Sequence, residues 1–302
     1  MSITTPSHRD VRKDEQVDRR VDVQPDACKA GGKDEDGASA AGAFVVVLAN
    51  HKGGVTNTTS TANLGAMLAE AGRRVLIVDC DPQANLSEAF GWGEELPGER
   101  LADLLTNPVA AGRYTPPEAL QPDVAPGLCW RERLRIIPST DALADIAADL
   151  PATAGHELRL REVLEPLRDR FDVVLLDTLP GIGTLSGMAV LAADGLLIPT
   201  LAADLDVRGA GKLYDLVECE VPGLGILGAL LAASERRWRI TRDATDRMTA
   251  DQMRVLPVRV PRAIRVASAP RHRAPTAVLE PDSMVAHAYR ELAHLLLEEV
   301  DR

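Results

Sequence analysis

The sequence has few aromatic residues and few cysteines. Only 3% of its 302 residues are aromatic although 45% are hydrophobic, so a core must be built mainly from Val, Leu, Ile and Ala. The four cysteines are Cys28, Cys80, Cys129 and Cys219, and no two of them form a CxxC pair. Scattered free thiols argue against a cysteine metal site or an iron–sulfur cluster, and they indicate a reducing cytosol.

Segments that would enter a membrane are also missing. No apolar run approaches the roughly 20 residues that a spanning helix needs, and the charged N-terminus has no apolar signal core. The last residues, Glu298 to Arg302, lack the Lys and Arg clusters expected on a membrane-surface helix. We therefore expect a cytoplasmic protein with no membrane attachment.

Charge is plentiful but unevenly placed. The formal net charge is −11, yet the segment from Glu235 to Arg273 holds eleven arginines against four acids, a local charge of +7. A basic segment in an acidic chain can hold a polyanion such as a nucleic acid. The alternative is that these arginines are scattered around a solvated face, and the sequence leaves both interpretations open.

Two regions of different composition divide the chain. Residues 1–42 mix Asp, Arg, Lys, Gln, Gly and Ser without apolar periodicity, which is typical of a disordered N-terminal tail. This tail has too few apolar residues to build the core of a helix-turn-helix domain. Residues 43–302 show a succession of buried-strand and helix patterns, which indicates an α/β domain.

The most informative stretch runs from Phe44 to Leu64. An apolar run with three consecutive valines leads into Lys52, Gly53 and Gly54, and residues with hydroxyl groups then open an apolar-periodic segment. This order indicates a buried strand, a glycine-containing loop and a helix N-terminus. Such a loop can wrap a phosphate because its backbone amides point at the anion. Similar turns also occur in parallel α/β proteins that bind nothing.

Carboxylates follow two further buried-strand patterns. Residues 75–78 lead into Asp79-Cys80-Asp81-Pro82-Gln83, and residues 171–176 lead into Asp177. Ligands of open parallel sheets bind beyond the carboxyl ends of the strands, so Asp81 and Asp177 are placed for Mg²⁺ or a water molecule. An Asp at a strand end also commonly caps the next helix, and that alternative stays open for either residue alone.

Together these segments resemble the ParA family of partition ATPases, part of the ParA/MinD deviant Walker A superfamily of P-loop NTPases. The glycine loop is similar to the family pattern Lys-Gly-Gly-x-x-Lys-Thr-Thr. The 79–83 segment is similar to the family's Asp-x-Asp-Pro-Gln signature, and the strand before Asp177 to its Walker B strand. Residues 289–293 are similar to its Ala-Tyr-x-x-Leu-Ala ending. The resemblance covers about residues 43–299, in the family's order. It implies a doubly wound, mostly parallel sheet with helices on both faces.

The resemblance implies ATP or ADP and Mg²⁺ as cofactors. The implied nucleotide-binding residues are Lys52, Gly53, Gly54, Val55, Thr56, Asn57, Thr58, Thr59, Pro261 and Arg262. Thr58, Asp81 and Asp177 would hold Mg²⁺ or its water shell, and Asp81 would also position the attacking water. Lys52 would reach phosphates bound by a second copy of the chain. Pro261 and Arg262 would border the adenine, although a proline-bounded edge strand explains these two residues equally well.

The same resemblance implies partners. ATP and Mg²⁺ would promote a homodimer that binds DNA without sequence preference on the nucleoid, and a ParB-type centromere-binding protein would stimulate hydrolysis. The cargo would be a plasmid or a chromosome. Phosphate contacts from arginines make such binding fall steeply with salt. The candidate DNA-contacting residues are Arg236, Arg237, Arg239, Arg242, Arg265, Arg271 and Arg273.

Asn57 is the main departure from the family pattern. It replaces the second lysine of the loop, and Thr56 stands where the family usually has Gly. Because Asn is shorter and uncharged, a charge-assisted hydrogen bond worth roughly 1.5–3 kcal/mol is lost. We expect weakened ATP binding, slow hydrolysis or both. Two functions stay open, a working partition ATPase and a nucleotide-responsive binding protein. A metabolic enzyme of the superfamily is less favoured because the sequence shows no group of residues suited to binding a small-molecule substrate.

Overall fold

The computed structural model describes residues 42–54, 56–93, 96–121, 127–181, 183–234, 238–262 and 272–302, and for 233–234 and 238–240 it describes the backbone alone. Residues 1–41 lie outside this set. The disorder of the N-terminal tail and its boundary at residue 42 therefore stay predictions.

Within the described residues, seven strands form one sheet in which every neighbouring pair is parallel. Their spatial order is β3-β2-β4-β1-β5-β6-β7. The central strands are nearly continuous runs of Val, Leu and Ile, as expected where helices cover both faces. The strands are β1 (Phe44–Leu48), β2 (Val75–Asp79), β3 (Leu134–Ile137), β4 (Val173–Asp177), β5 (Gly195–Thr200), β6 (Gly225–Ser234) and β7 (Val255–Pro261).

Helices connect the strands. The α-helices of the described residues are α1 (Asn57–Glu70), α2 (Asn85–Ala89), α3 (Leu101–Thr106), α4 (Ala142–Asp149), α5 (Arg159–Leu164), α6 (Thr184–Ala192), α7 (Asp204–Glu220), α8 (Trp238–Ala250), α9 (Thr276–Leu279) and α10 (Met284–Val300). Short 3₁₀ segments lie at Pro108–Gly112, Arg131–Arg133, Leu150–Ala152, His156–Leu158 and Glu165–Arg170. None of the described helices is long and apolar enough to cross a bilayer.

Two buried clusters cover the two faces of the sheet. Successive residues of a strand point to opposite faces, so Val45 and Val47 of β1 join one cluster and Val46 and Leu48 join the other. The first cluster includes residues of α3, α5, α6 and α7, and the second includes residues of α1 and α10. The predicted doubly wound fold is therefore confirmed, with a sheet that is parallel throughout its described part.

The strand order changes direction beside β1. The chain places β2 and β3 on one side of β1, inserts β4 between β2 and β1, and places β5, β6 and β7 on the other side. Such a reversal opens a crevice outside the carboxyl ends of the strands, where ligands of open α/β sheets bind. The β1–α1 loop begins at this crevice, and Asp177 ends the neighbouring strand β4.

Two segments without a binding motif also follow their sequence patterns. The pattern near residues 241–253 predicts a helix, and the structure has it as α8, which begins at Trp238 and ends at Ala250. Prolines alternate with short helical patches in residues 96–127, which predicts an irregular insertion; this region contains the short helix α3, whose Leu101, Leu104 and Leu105 join the first buried cluster. Helix ends are the least determined part of a sequence prediction because tertiary contacts set them.

Candidate functional site

The loop after β1 makes left-handed turns before α1. Gly54 has a φ of +77°, and Thr56, the N-cap residue of α1, has a φ of 77° and a ψ of 22°. The Ser60 N–H donates to Thr56 O at 2.8 Å, so the amides before Ser60 are the ones that a helix N-terminus leaves free to meet an anion. Val55 lies outside the described residues. The described part of the loop thus leaves free amides at the start of α1, and its role as a phosphate cradle stays a prediction.

Gly53 allows the loop to pack closely on the turn after β4. A Cβ at Gly53 would lie 3.3 Å from Pro180 Cγ, tighter than an ordinary contact. The Gly181 N–H donates to Asn50 O at 3.2 Å, which joins the same two turns. The β1–α1 loop and the turn that follows Asp177 therefore form one packed unit.

Asp177 lies at the buried end of β4, beside the residues that follow β2. The register pairs Asp79 with Asp177, and the Cys80 N–H donates to Asp177 O at 3.0 Å. Burial raises the pKa of the Asp177 carboxyl well above its ordinary value, and the charges of Asp79 and Asp81 raise it further. The structure thus brings Asp81 and Asp177 together, and their roles toward Mg²⁺ stay predictions.

One oxygen of Asp177 is available for a cation. Oδ1 accepts from Thr61 Oγ1 at 3.3 Å, and the nearby Thr58 hydroxyl lowers the pKa of the carboxyl. Oδ2 is buried and has no hydrogen-bond partner in the described part of the chain. A buried carboxylate oxygen without a donor, beside a threonine hydroxyl, suits a hard divalent cation such as Mg²⁺.

The protein alone would not complete the coordination of that cation. Across the described residues, no group of three or more His, Cys, Asp and Glu is arranged to hold a metal. Mg²⁺ ordinarily keeps several water ligands and binds one or two carboxylates together with phosphate oxygens. The residues present therefore fit a magnesium–nucleotide complex better than a free metal ion.

Asp79 anchors the turn that carries Asp81. Its Oδ1 accepts from Asp81 N at 3.1 Å, and its Oδ2 accepts from Ser87 N at 2.8 Å and from Ser87 Oγ at 2.7 Å. Burial raises the pKa of Asp79 to about 6, against the lowering effect of these hydrogen bonds. Burial also raises the pKa of Asp81, whose Oδ1 accepts from Gln83 N at 2.8 Å. The first Asp of the pair is thus a structural anchor for the second.

Asn57 occupies the first position of α1 and is 7% exposed. Its Nδ2 donates to Thr178 O at 3.4 Å, and its Oδ1 is buried without a partner among the described residues. An amide oxygen is an acceptor and cannot bond a phosphate oxygen. The Nδ2 group is the donor that Asn57 could offer to a phosphate, and one of its two N–H bonds is already directed at Thr178 O.

Lys52 has a counter-ion in its own chain that sequence reasoning missed. Its Nζ lies 2.6 Å from Oδ1 of Asp206, in the first turn of α7. The side chain of Asp206 is 3% exposed and that of Lys52 is 45% exposed. An acid in the first turn of a helix is ordinarily explained by the helix dipole, so the sequence carried no separate signal for this pair.

Pro261 and Arg262 lie at the carboxyl end of β7, the same edge of the sheet as the glycine loop. Three strand spacings separate β7 from β1, about 14 Å across the sheet. Pro261 is the last residue of an edge strand and Arg262 is exposed. The placement agrees with a proline-bounded edge strand, so their role at a base stays a prediction.

Only part of the predicted DNA-contacting set can be placed. Arg236, Arg237, Arg265 and Arg271 lie outside the described residues, and the backbone alone is described for Arg239. The exposed Arg242 of α8 lies 3.9 Å from Asp246, and Arg273 packs against Gly91.

The basic segment has arginines at both the amino and the carboxyl end of strand β7. Arg254 precedes β7 and pairs with Glu299 at 2.6 Å, whereas Arg262 follows β7. Arg247 of α8 pairs with Asp204 at 2.6 Å. Part of the local positive charge is therefore neutralised by acids from outside the segment.

Comparisons with known proteins place the chain among nucleotide-binding proteins. A family model described as an AAA domain matches residues 43–220. The chain is 30% identical over 254 residues to the sporulation initiation inhibitor protein Soj of Bacillus subtilis, covering 82% of this chain and 96% of that protein. It is 33% identical over 266 residues to the chromosome-partitioning ATPase Soj of Thermus thermophilus, covering 84% and 96% of the two chains.

A solved structure shares the fold. The cobyrinic acid a,c-diamide synthase from Mycobacterium smegmatis, with bound ATP analog and magnesium, matches with a TM-score of 0.68 and 30% sequence identity. The match covers 84% of this chain and 94% of that one. The likeness therefore includes nearly all of the sheet and its helices.

The Lys52–Asp206 ion pair predicts a stability effect. Lys52→Met should lower the free energy of unfolding by about 1–3 kcal/mol, because it leaves the buried Asp206 carboxylate without its counter-charge while Lys52 itself is partly solvated. The double variant Lys52→Met, Asp206→Asn should recover most of the loss. Urea denaturation of the unmodified chain and both variants measures the effect, and equal stability of the single and double variants would contradict a loss caused by an unpaired Asp206 charge.

The buried Asp79 predicts a pH dependence of stability. Its pKa rises from an ordinary 3.8 to about 6 on folding, so the folded state binds the proton more tightly. Stability should therefore fall as the pH rises from 4 to 6, by up to about 3 kcal/mol for this group. Urea denaturation across pH 4–7 tests this, with Asp79→Asn as the control that cannot titrate. An unchanged pH slope in that variant would contradict the assignment.

Proposed function

Because the chain belongs to the ParA family of deviant Walker A ATPases, we propose that it is a partition ATPase that takes ATP or ADP with Mg²⁺ at the β1–α1 loop. The observation that carries this proposal is the buried Oδ2 of Asp177, which has no hydrogen-bond partner among the described residues and lies at the end of the strand next to β1. Residues 43–302 would form the nucleotide-binding domain.

The proposed roles follow from the positions of the residues. The loop from Gly53 to Thr59 would hold the phosphates with backbone amides and hydroxyls. Thr58 and Asp177 would hold the magnesium ion and its water shell, which neutralises phosphate charge when bound. Asp81, kept in place by Asp79, would orient the attacking water. Pro261 and Arg262 would border the base at the far side of the same edge.

Lys52 would link nucleotide binding to dimerisation. In the single chain it is held by Asp206, yet almost half of its side chain is exposed. In a nucleotide-dependent homodimer we propose that Lys52 leaves Asp206 and reaches the phosphates bound by the second copy. The buried Asp206 would then need a new donor, so the exchange has a cost that only a bound anion across the interface offsets.

DNA and a ParB-type protein are the proposed partners. The +7 segment from Glu235 to Arg273 would contact DNA phosphates without reading sequence, which would place the protein on the nucleoid. Arg242, exposed on α8 and only loosely paired, is the best placed of the described candidates. A ParB-type centromere-binding protein would stimulate turnover and release the DNA.

The geometry of Asn57 favours a second candidate function. Its Nδ2 donates to Thr178 O, and its Oδ1 has no partner within the described part of the chain, at the position where the family has a lysine. A protein with this loop could bind nucleotide, hydrolyse it weakly or not at all, and act through dimerisation or partner contact. The two candidates share the site and differ in turnover.

Asn57→Lys tests the effect of the missing charge. Restoring a charge-assisted hydrogen bond should tighten MgATP binding or raise turnover by about ten- to a hundredfold, equivalent to roughly 1.5–3 kcal/mol. Calorimetric titration and steady-state ATPase rates measure the two effects. Asn57→Met is the matched control, since it adds length without charge and should give no gain. If Asn57→Lys leaves affinity and turnover both unchanged, our account of the loop is wrong.

Turnover and DNA binding separate the two candidates. A partition ATPase should hydrolyse ATP faster with DNA and its cognate ParB-type protein, and Asp81→Ala should abolish that stimulation. Its ATP form should bind DNA more tightly than its ADP form, and this binding should weaken by orders of magnitude between 50 and 200 mM salt. Nucleotide binding without turnover would favour the second candidate, and failure to take up ATP or ADP would overturn both.

A further inference from the structure

Buried hydroxyl groups connect the C-terminal helix to the phosphate loop. Tyr289 of α10 is 1% exposed, and its hydroxyl oxygen lies 3.1 Å from Ser60 Oγ in α1. Ser60 Oγ in turn lies 3.5 Å from Thr56 Oγ1. Either atom can donate in each contact. Burial raises the pKa of Tyr289 to about 12, so its hydroxyl keeps its proton near neutral pH.

The loop end of this hydroxyl chain is conformationally unusual. Thr56 has a left-handed backbone, with a φ of 77°. That conformation is disfavoured for a β-branched residue and persists only where the surrounding structure holds it. Thr56 is also the N-cap residue of α1, so its backbone sets the direction of the free amides that follow.

Helix α10, which carries Tyr289, also contacts the C-terminal end of α1. Arg290, next to Tyr289, donates to Glu70 through Nε at 2.5 Å and through Nη2 at 3.1 Å. Glu70 is the last residue of α1, whereas Ser60 lies in its first turns. Helix α10 therefore holds α1 at both ends, and Leu292 and Leu296 of α10 are buried in the cluster that covers this face of the sheet.

We propose that Tyr289 is a positioning residue for the nucleotide site. Through Ser60 it supports Thr56 in the left-handed conformation that aims the first amides of α1 at the phosphates. A glycine in place of Thr56 would adopt this conformation without support, so the need for the hydroxyl chain comes from the residue that this sequence carries. The inference rests on the proposed function. It makes nucleotide affinity depend on α10, whose Tyr289 is 229 residues from Ser60 in the sequence.

Tyr289→Phe is the direct test, because it removes the hydroxyl and keeps the buried ring. Calorimetric titration with MgADP should show affinity weakened about three- to tenfold, the effect of one lost hydrogen bond. Ser60→Ala should cause a loss of similar size. Tyr114→Phe is the matched control, since buried Tyr114 donates to Glu99 O at 3.2 Å on the other face of the sheet. It should leave the affinity unchanged.

The Thr56→Gly variant distinguishes positioning from general destabilisation. Because this variant lacks the Thr56 side chain that Ser60 contacts, adding Tyr289→Phe to it should weaken MgADP binding no further. An equal loss in both backgrounds, or no loss in the Thr56 background, would overturn the inference while leaving the proposed function standing. Absence of nucleotide uptake by the unmodified chain would overturn both.

Discussion

Carboxylates buried at the carboxyl edge of a parallel sheet are the constraint on which the site depends. Asp79 and Asp177 are fully buried, and burial disfavours their charged forms. Three donors compensate Asp79, whereas one oxygen of Asp177 lacks a hydrogen-bond partner among the described residues. The fold thus leaves one buried carboxylate oxygen without a donor and uses the neighbouring carboxylate to hold the turn in shape.

The electrostatics of the phosphate loop differ from what its glycines alone suggest. Asn57, which stands where the family pattern has its second lysine, is uncharged, and Lys52 is already paired with Asp206. In the proposed nucleotide complex, attraction for the anion would come from the N-terminus of α1, from backbone amides and from the accompanying magnesium ion. Loop geometry and metal would then have to supply more of the binding free energy than they do in a lysine-bearing loop.

Much of the fold could be predicted from the sequence because its signals are local. Unbroken apolar runs mark the buried strands, and the residues after them, Gly53, Asp81 and Asp177, are expected at one edge of a parallel sheet. The exact ends of α8 differ from the sequence pattern, since packing against distant residues sets them. For the basic segment, the sequence identified the residue type, and it could not show that Arg247 and Arg254 pair with Asp204 and Glu299 from outside the segment.

The sequence by itself determined which strands are buried, where the backbone can turn, and that a lysine charge is missing at Asn57. Tertiary structure alone decided the pairs that set the behaviour of the site: Asn57 with Thr178, 121 residues apart, and Tyr289 with Ser60, 229 residues apart. Such pairs depend on the order of strands in space, because crossover connections bring distant segments together. No local periodicity records that order.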